Sequence, residues 1–199
     1  MIIKPYSTPY GTVDFTIPEF LKPGDVAISA SGGADSALLL FLLLSNNVIP
    51  TVVFMNNANS QYEALVNIIS WMNRRFNVDL KLLRWDRTLD TGNHLSPEII
   101  LISNKFKYLY TGVTKNADVD FGPAAVRPNR PKASKVWRNR MHMPFIALDK
   151  RVVVWLYKEL GIIDLFDITY SCATNLKSPC GICYNCKERE WAKTEVKLT

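Results

Sequence analysis

Apolar residues in this chain fall into short blocks, and their spacing switches repeatedly between strand and helix periods. Asp25–Ala30 (DVAISA) reads as a buried strand, and Ala37–Ser45 as a helix apolar all round and therefore buried on every side. Val48–Met55 (VIPTVVFM) reads as a second buried strand despite Pro50. Ser60, followed three residues later by Glu63, makes a capping box. It precedes a helix that keeps Leu65, Ile68, Ile69 and Met72 on one face to about Phe76. Asp79–Trp85 predicts a third strand, Ser96-Pro97-Glu98 the start of a short helix, and Lys107–Val113 a fourth strand. Asp149–Leu160 predicts a helix closed by Gly161, and a short helix is expected after Cys186. The first 23 residues, rich in Pro, Tyr and Thr, read as an irregular arm or a short hairpin.

Strands alternating with helices imply an α/β fold, a Rossmann-like parallel sheet with helices on both faces. Such sheets bind ligands at the carboxyl ends of the strands, where the strand order reverses. The expected organisation is an N-terminal arm (1–23), a nucleotide-binding domain (24–165) and a cysteine-bearing segment with a terminal helix (166–199).

Composition narrows the class. The 199 residues are 48% hydrophobic and 21% charged, an ordinary globular balance that excludes disorder, collagen and coiled coil. The longest apolar run, Ala37–Leu44, is far short of the ~20 residues of a membrane helix. The opening MIIKPYSTPYGTVDF has no apolar core of a signal peptide. A soluble, cytoplasmic protein without membrane contact is expected. The net charge of +6 is concentrated: Phe121–Leu148 has no acidic residue and carries Arg127, Arg130, Lys132, Lys135, Arg138 and Arg140. Such a run points to phosphates or nucleic acid nearby, or to a solvated basic loop. With four prolines and unbalanced charge, the segment is expected to have little apolar area and to order over a ligand as a lid.

All four cysteines lie between Cys172 and Cys186, with Cys180 and Cys183 between them. In a chain without a signal peptide, this spacing favours metal over disulfides. Four thiolates at such intervals suit a closed tetrahedral zinc site, with Pro179 and Gly181 fitting the turn. An iron–sulfur cluster and four unmetallated cysteines are the alternatives.

The remaining chemistry sits at Ser31-Gly32-Gly33-Ala34-Asp35-Ser36, between the first buried strand and a helix N-terminus. Two glycines let backbone N–H groups approach a ligand, and the helix start adds unpaired donors and positive potential. The loop reads as a cradle for phosphate, or else as a tight turn capped by Asp35. It lacks the lysine of a Walker loop and the third glycine of a dinucleotide fingerprint.

This hexapeptide resembles the SGGxDS loop of the PP-loop ATP pyrophosphatases, a superfamily with an adenine nucleotide alpha hydrolase-like fold. Its members cut ATP between the α and β phosphates, move AMP onto an acceptor oxygen and release pyrophosphate. Thr169-Tyr170-Ser171-Cys172, then Cys180-Gly181-x-Cys183-x2-Cys186 and Arg189, resembles the zinc segment of the 7-cyano-7-deazaguanine synthase family. Met143-Pro144-Phe145 with Lys150, and Gly112-Val113, resemble two further points of that family. The segment Phe54–Asn59 departs from the family's Tyr-Gly-Gln type, and its Pro-Gly-Arg-Asn segment is not visible.

The resemblance implies an ATP-dependent ligase that turns a carboxylate on a deazaguanine into a nitrile with ammonia. Ser31, Gly32, Gly33, Ala34, Asp35 and Ser36 would cradle the phosphates, with magnesium bridging them. Asp35 would hold magnesium or cap the helix, and Lys150 would approach a phosphate or stand solvated at a helix start. Ser31, Asp35, Ser36 and Lys150 are thus the expected catalytic set. Phe54, Met55 and Asn56 would border the adenosine and Gly112 the loop. Arg127 would hold pyrophosphate or acidic substrate, or be a free loop arginine. Cys172, Cys180, Cys183 and Cys186 would hold zinc, and a homodimer is a further expectation. Two other readings stay open: a PP-loop transferase acting on tRNA or another macromolecule, and a zinc-stabilised nucleic-acid-binding module using residues 127–140.

Overall fold

The structure, a computed structural model, describes residues 1–54, 59–84, 105–130, 140–174 and 177–198. Five parallel strands form the central sheet: β3 (Val26–Ser29), β4 (Thr51–Phe54), β5 (Leu82–Arg84), β6 (Tyr108–Thr111) and β7 (Met141–His142). Their order is β5-β4-β3-β6-β7, and every neighbouring pair is parallel. The order reverses between β3 and β6, so the crevice beyond their carboxyl ends is the ligand position of this topology.

The sheet is helped by residues that fit a doubly covered surface. Ile28, Val52 and Tyr110 face one side, where they join a large core with the helices. Ala27, Val53, Leu109 and Met141 form a smaller cluster on the other side. Helix α1 (Ala34–Ser45) is buried along its whole length except Asp35 and its last residue, as an all-round apolar helix must be. Helices α2 (Asn59–Phe76), α3 (Lys150–Glu159), α4 (Ile163–Asp167) and α5 (Tyr184–Val196) are the others among the described residues.

The N-terminal arm is a hairpin of β1 (Ile2–Thr8) and β2 (Gly11–Ile17), one of the two expected forms. Val13, Phe15 and Ile17 alternate inward, and Tyr110 Oη donates to the Thr16 carbonyl at 2.7 Å. The hairpin therefore joins the main core.

Several expectations shift. Helix α1 starts three residues before its apolar block, because Gly33 is extended and acts as N-cap. Ser60 lies inside α2, which already includes Asn59, so Ser60 is not its cap. Strand β7 and the full length of α5 were not anticipated; α5 begins before Cys186. Helix α3 begins one residue later than expected, because Asp149 is extended and caps it by accepting from the Arg151 N–H, and Gly161 follows with φ +65° as expected. The helix expected at Ser96-Pro97-Glu98, and Trp85, lie outside the described residues. Among the described residues, no helix is long and apolar enough to cross a membrane.

Candidate nucleotide and metal sites

At the end of β3 the chain turns sharply through Ser31-Gly32-Gly33 into α1. Gly32 has φ +77°, and a Cβ there would collide with the Gln61 carbonyl. Gly33 is different: its φ is −86° and a Cβ would meet nothing nearer than 3.4 Å. Its bareness is not required by the protein's own packing, and Gly33 lines a cavity. Gly112, at the end of β6, lies so close that a Cβ would come within 2.7–2.8 Å of the Asp35 and Ser36 backbone. Glycine at 112 thus lets β6 approach the start of α1.

The loop braces itself. Ser36 Oγ donates to the Gly33 carbonyl and accepts from the Ser31 N–H, at 3.1 and 3.3 Å. Ser31 Oγ accepts from the Gly33 N–H at 3.4 Å. Among the described residues no side chain caps α1, so its first turn offers the donors typical of a helix start. Asp35, in that first turn, is not a cap. Lys150 Nζ donates to both of its carboxylate oxygens, at 2.5 and 2.6 Å. Lys150 is buried (6% side-chain exposure), and Asp149 fixes it at the first position of α3.

These groups share a cavity of about 290 Å³. Its wall includes Ser31, Gly33, Ala34, Asp35, Ser36, Gly112 and Lys150 from the sequence-predicted set, together with Gln61, Arg130, Tyr170, Ser171 and Asn185. Phe54 is fully buried against the Tyr62 ring and is not on that wall. Met55 and Asn56 lie outside the described residues.

Arg127 turns away, donating to the Ala117 and Val119 carbonyls at 3.0 and 3.1 Å. Arg130 stands on the cavity wall instead, held by both oxygens of Glu188 at 2.7 and 2.8 Å. Burial works against the Arg130 charge, but the Glu188 carboxylate outweighs it and raises the guanidinium pKa. Sequence alone cannot separate Arg127 from Arg130 within one basic run, and Glu188 gave no signal at all. Arg140 also serves the fold, donating to the Lys107 and Phe106 carbonyls. The described basic segment is anchored as well: Phe121 packs on Tyr184 and Trp191, and Phe145 is fully buried. The expected lack of apolar anchoring does not hold there.

The four cysteines converge. All are free thiols, and their sulfurs lie within 4.8 Å of one another, with Cys172–Cys183 and Cys180–Cys186 each at 3.9 Å. Bonds of ~2.3 Å to a tetrahedral zinc place the sulfurs about 3.8 Å apart, so the donor set fits that ion. Gly181 (φ +72°) makes the knuckle turn, and the Cys183 N–H points at Cys180 Sγ at 3.3 Å. That N–H and the one of Ile182 lower the Cys180 thiol pKa to about 6, whereas burial raises that of Cys186.

The cysteine segment is pinned to the glycine loop. The Tyr170 N–H donates to the Gly32 carbonyl at 2.8 Å, and Gln61 Nε2 donates to the Cys172 carbonyl at 3.2 Å.

Residues 129–197 match the sequence model of the family described as Queuosine biosynthesis protein QueC. That segment is QueC-like. The chain is 42% identical over 60 residues to the 7-cyano-7-deazaguanine synthase of Aquifex aeolicus (strain VF5), covering 30% of this chain. It is 38% identical over 64 residues to the enzyme of that name from Sulfurihydrogenibium sp. (strain YO3AOP1), covering 32% of this chain. These matches span 27% and 28% of the relatives' own lengths. The QueC-like part holds Arg130, Lys150, Glu188 and all four cysteines. A solved structure described as a predicted subunit of tRNA methyltransferase from Methanocaldococcus jannaschii is also similar in trace. Its identity is 16% and its TM-score 0.42, over 68% of this chain and 74% of that one. At that distance the likeness bears on neither ligand nor activity.

Proposed function

We propose that the chain is an ATP-dependent C–N ligase of the 7-cyano-7-deazaguanine synthase type, acting on a carboxylate-bearing deazaguanine with ammonia. The observation that carries this reading is the joining, in one cavity, of the SGGADS loop with the segment that precedes Cys172 in the QueC-like part.

The acceptor carboxylate oxygen attacks the α phosphorus of ATP, the bond from that phosphorus to the bridging oxygen breaks, and pyrophosphate leaves. Ammonia then attacks the acyl carbon, AMP departs with the bond electrons, and the nitrogen sheds a proton to give an amide. The amide oxygen then attacks the α phosphorus of a second ATP, a second pyrophosphate leaves, and loss of AMP and two protons gives the nitrile. The chain's part is electrostatic, because charge builds on the departing pyrophosphate. The uncapped N–H groups at the start of α1, with the hydroxyls of Ser31 and Ser36 on the cavity wall, supply donors for it; Gly32 is not on that wall and shapes the turn instead. Lys150 has three donors, and its two bonds to Asp35 leave one for a phosphate oxygen. Arg130 supplies a second positive charge on the wall, the role that sequence assigned to Arg127. Magnesium, when bound with ATP, would neutralise the phosphates, and Asp35 is the carboxylate that the described cavity wall offers it. Zinc at the four cysteines is a closed site and has a bracing role.

Incubation with ATP, magnesium, ammonium and 7-carboxy-7-deazaguanine tests this. Chromatography should show AMP and pyrophosphate, and mass spectrometry the nitrile. ADP as the main product would overturn the reading.

A further inference from the structure

Two pieces of chain run directly from the cysteines to the cavity. The first is α5. Cys183 is its N-cap and Cys186 lies in its first turn. Between them, Asn185 reaches the cavity wall, and one turn on, Glu188 grips Arg130. Glu188 is fully buried. A buried carboxylate is expensive to leave unpaired, so Arg130 must follow wherever α5 carries Glu188. Arg130 also donates to Asn185 Oδ1, Thr114 Oγ1 and the Lys115 carbonyl, which fixes the plane of its guanidinium.

The second piece is the turn before Cys172. Arg189, next to Glu188 on α5, donates to the Thr169 hydroxyl and carbonyl and to the Phe166 carbonyl, at 2.6, 3.3 and 2.8 Å. Its guanidinium lies 3.9 Å above the Phe166 ring. This strut sets Thr169, and the following Tyr170 N–H meets the Gly32 carbonyl in the glycine loop. Neither Glu188 nor Arg189 lines the cavity.

We propose that Glu188 and Arg189 are positioning residues that couple the cysteine centre to the cavity. A zinc ion on the cysteines thereby raises the cavity's affinity for an adenine nucleotide. The physical ground is that the thiolates fix the first turn of α5, and α5 fixes both Arg130 and the Tyr170–Gly32 bond. Binding linkage is reciprocal, so nucleotide must hold zinc in place by the same factor.

The coupling rests on the reading of the cavity as a nucleotide site, and the test separates the two. Titration calorimetry with α,β-methylene-ATP and magnesium is run on full-length protein, zinc-loaded and zinc-stripped. Zinc-loaded protein should bind about fivefold or more tightly than stripped protein. Extraction of zinc by a chromogenic chelator should slow by a matching factor when the analogue is present. Glu188→Gln keeps all four cysteines and one zinc per chain. It should bind the analogue at least several-fold more weakly, and the analogue should no longer slow zinc release. A merely structural residue would not abolish that reciprocity. Arg189→Lys serves where Glu188→Gln folds poorly, with the same expected outcome. Equal affinity with and without zinc, or Glu188→Gln and Arg189→Lys behaving as wild type, overturns the coupling. If zinc-loaded protein binds no analogue, the nucleotide reading fails, and hydrogen exchange decides the coupling by itself. Faster exchange at Tyr170 after zinc removal upholds the strut, and unchanged exchange refutes it.

Discussion

Lys150 and Asp35 stand 115 residues apart in sequence, yet the ammonium touches both oxygens of the carboxylate on the wall of the loop cavity. The ion pair ties the N-terminus of α3 to that of α1. Asp35→Asn keeps the shape and removes the charge. It leaves Lys150 as a buried cation without its counter-ion, a change worth about 3 kcal/mol of stability. Turnover should also fall more than tenfold, equivalent to ~1.4 kcal/mol in barrier. Urea unfolding and single-turnover kinetics check both. A variant as stable and active as wild type would mean that the pair is incidental.

Gly33 and Gly112 make a contrasting pair. Gly112→Ala forces a methyl into the backbone of Asp35 and Ser36 and should destabilise by about 1–3 kcal/mol. Gly33→Ala meets only ordinary contacts and should leave the melting temperature within a few degrees, while placing a methyl in the phosphate cradle. Calorimetry with an ATP analogue should find binding lost in Gly33→Ala. Unchanged affinity there would argue against a phosphate at Gly33.

One zinc per chain is expected, held by Cys172, Cys180, Cys183 and Cys186. Elemental analysis of anaerobically purified protein gives the count. Cys183→Ser should lower stability strongly, because metal binding and folding are linked. An iron–sulfur absorption band would redirect the assignment.

His142 gives a pH signature. Its ring stacks on Tyr110 at 4.7 Å, both nitrogens are buried without a partner among the described residues, and burial lowers its pKa to about 4. Below pH 6.5 the unfolded chain binds a proton that the folded chain refuses. Stability should therefore fall as pH drops from about 6.5 to 4, by up to about 3 kcal/mol from this group. His142→Phe keeps the stacking and should flatten that part of the urea-denaturation profile. The same slope in both proteins would assign it elsewhere.

The sheet was legible because buried parallel strands write themselves as apolar blocks, as in Asp25–Ala30 and Lys107–Val113. Strand β7 was not, since two residues cannot display a period and these sit in a basic run. The glycine loop and the four cysteines announced themselves by residue type. Arg130, Glu188, Gln61 and Asn185 did not, because what distinguishes each is a partner far along the chain. Phe54 was placed correctly on β4, but its ring faces the core and Tyr62 rather than the cavity.

The walls of the cavity come from widely separated stretches: residues 29–36, Gln61, 111–113, Arg130, Lys150, 170–171 and Asn185. On the ribosome, chain emerges from the amino end, so the glycine loop is made long before Tyr170 and Asn185 exist to meet it. Until then the Gly32 carbonyl has no Tyr170 N–H, and Arg130 no Glu188. Closing such long loops is slow relative to forming α1 or the hairpin. A nascent chain would thus carry a formed sheet and an open loop, and would acquire the means to grip a nucleotide only as its cysteine segment appears.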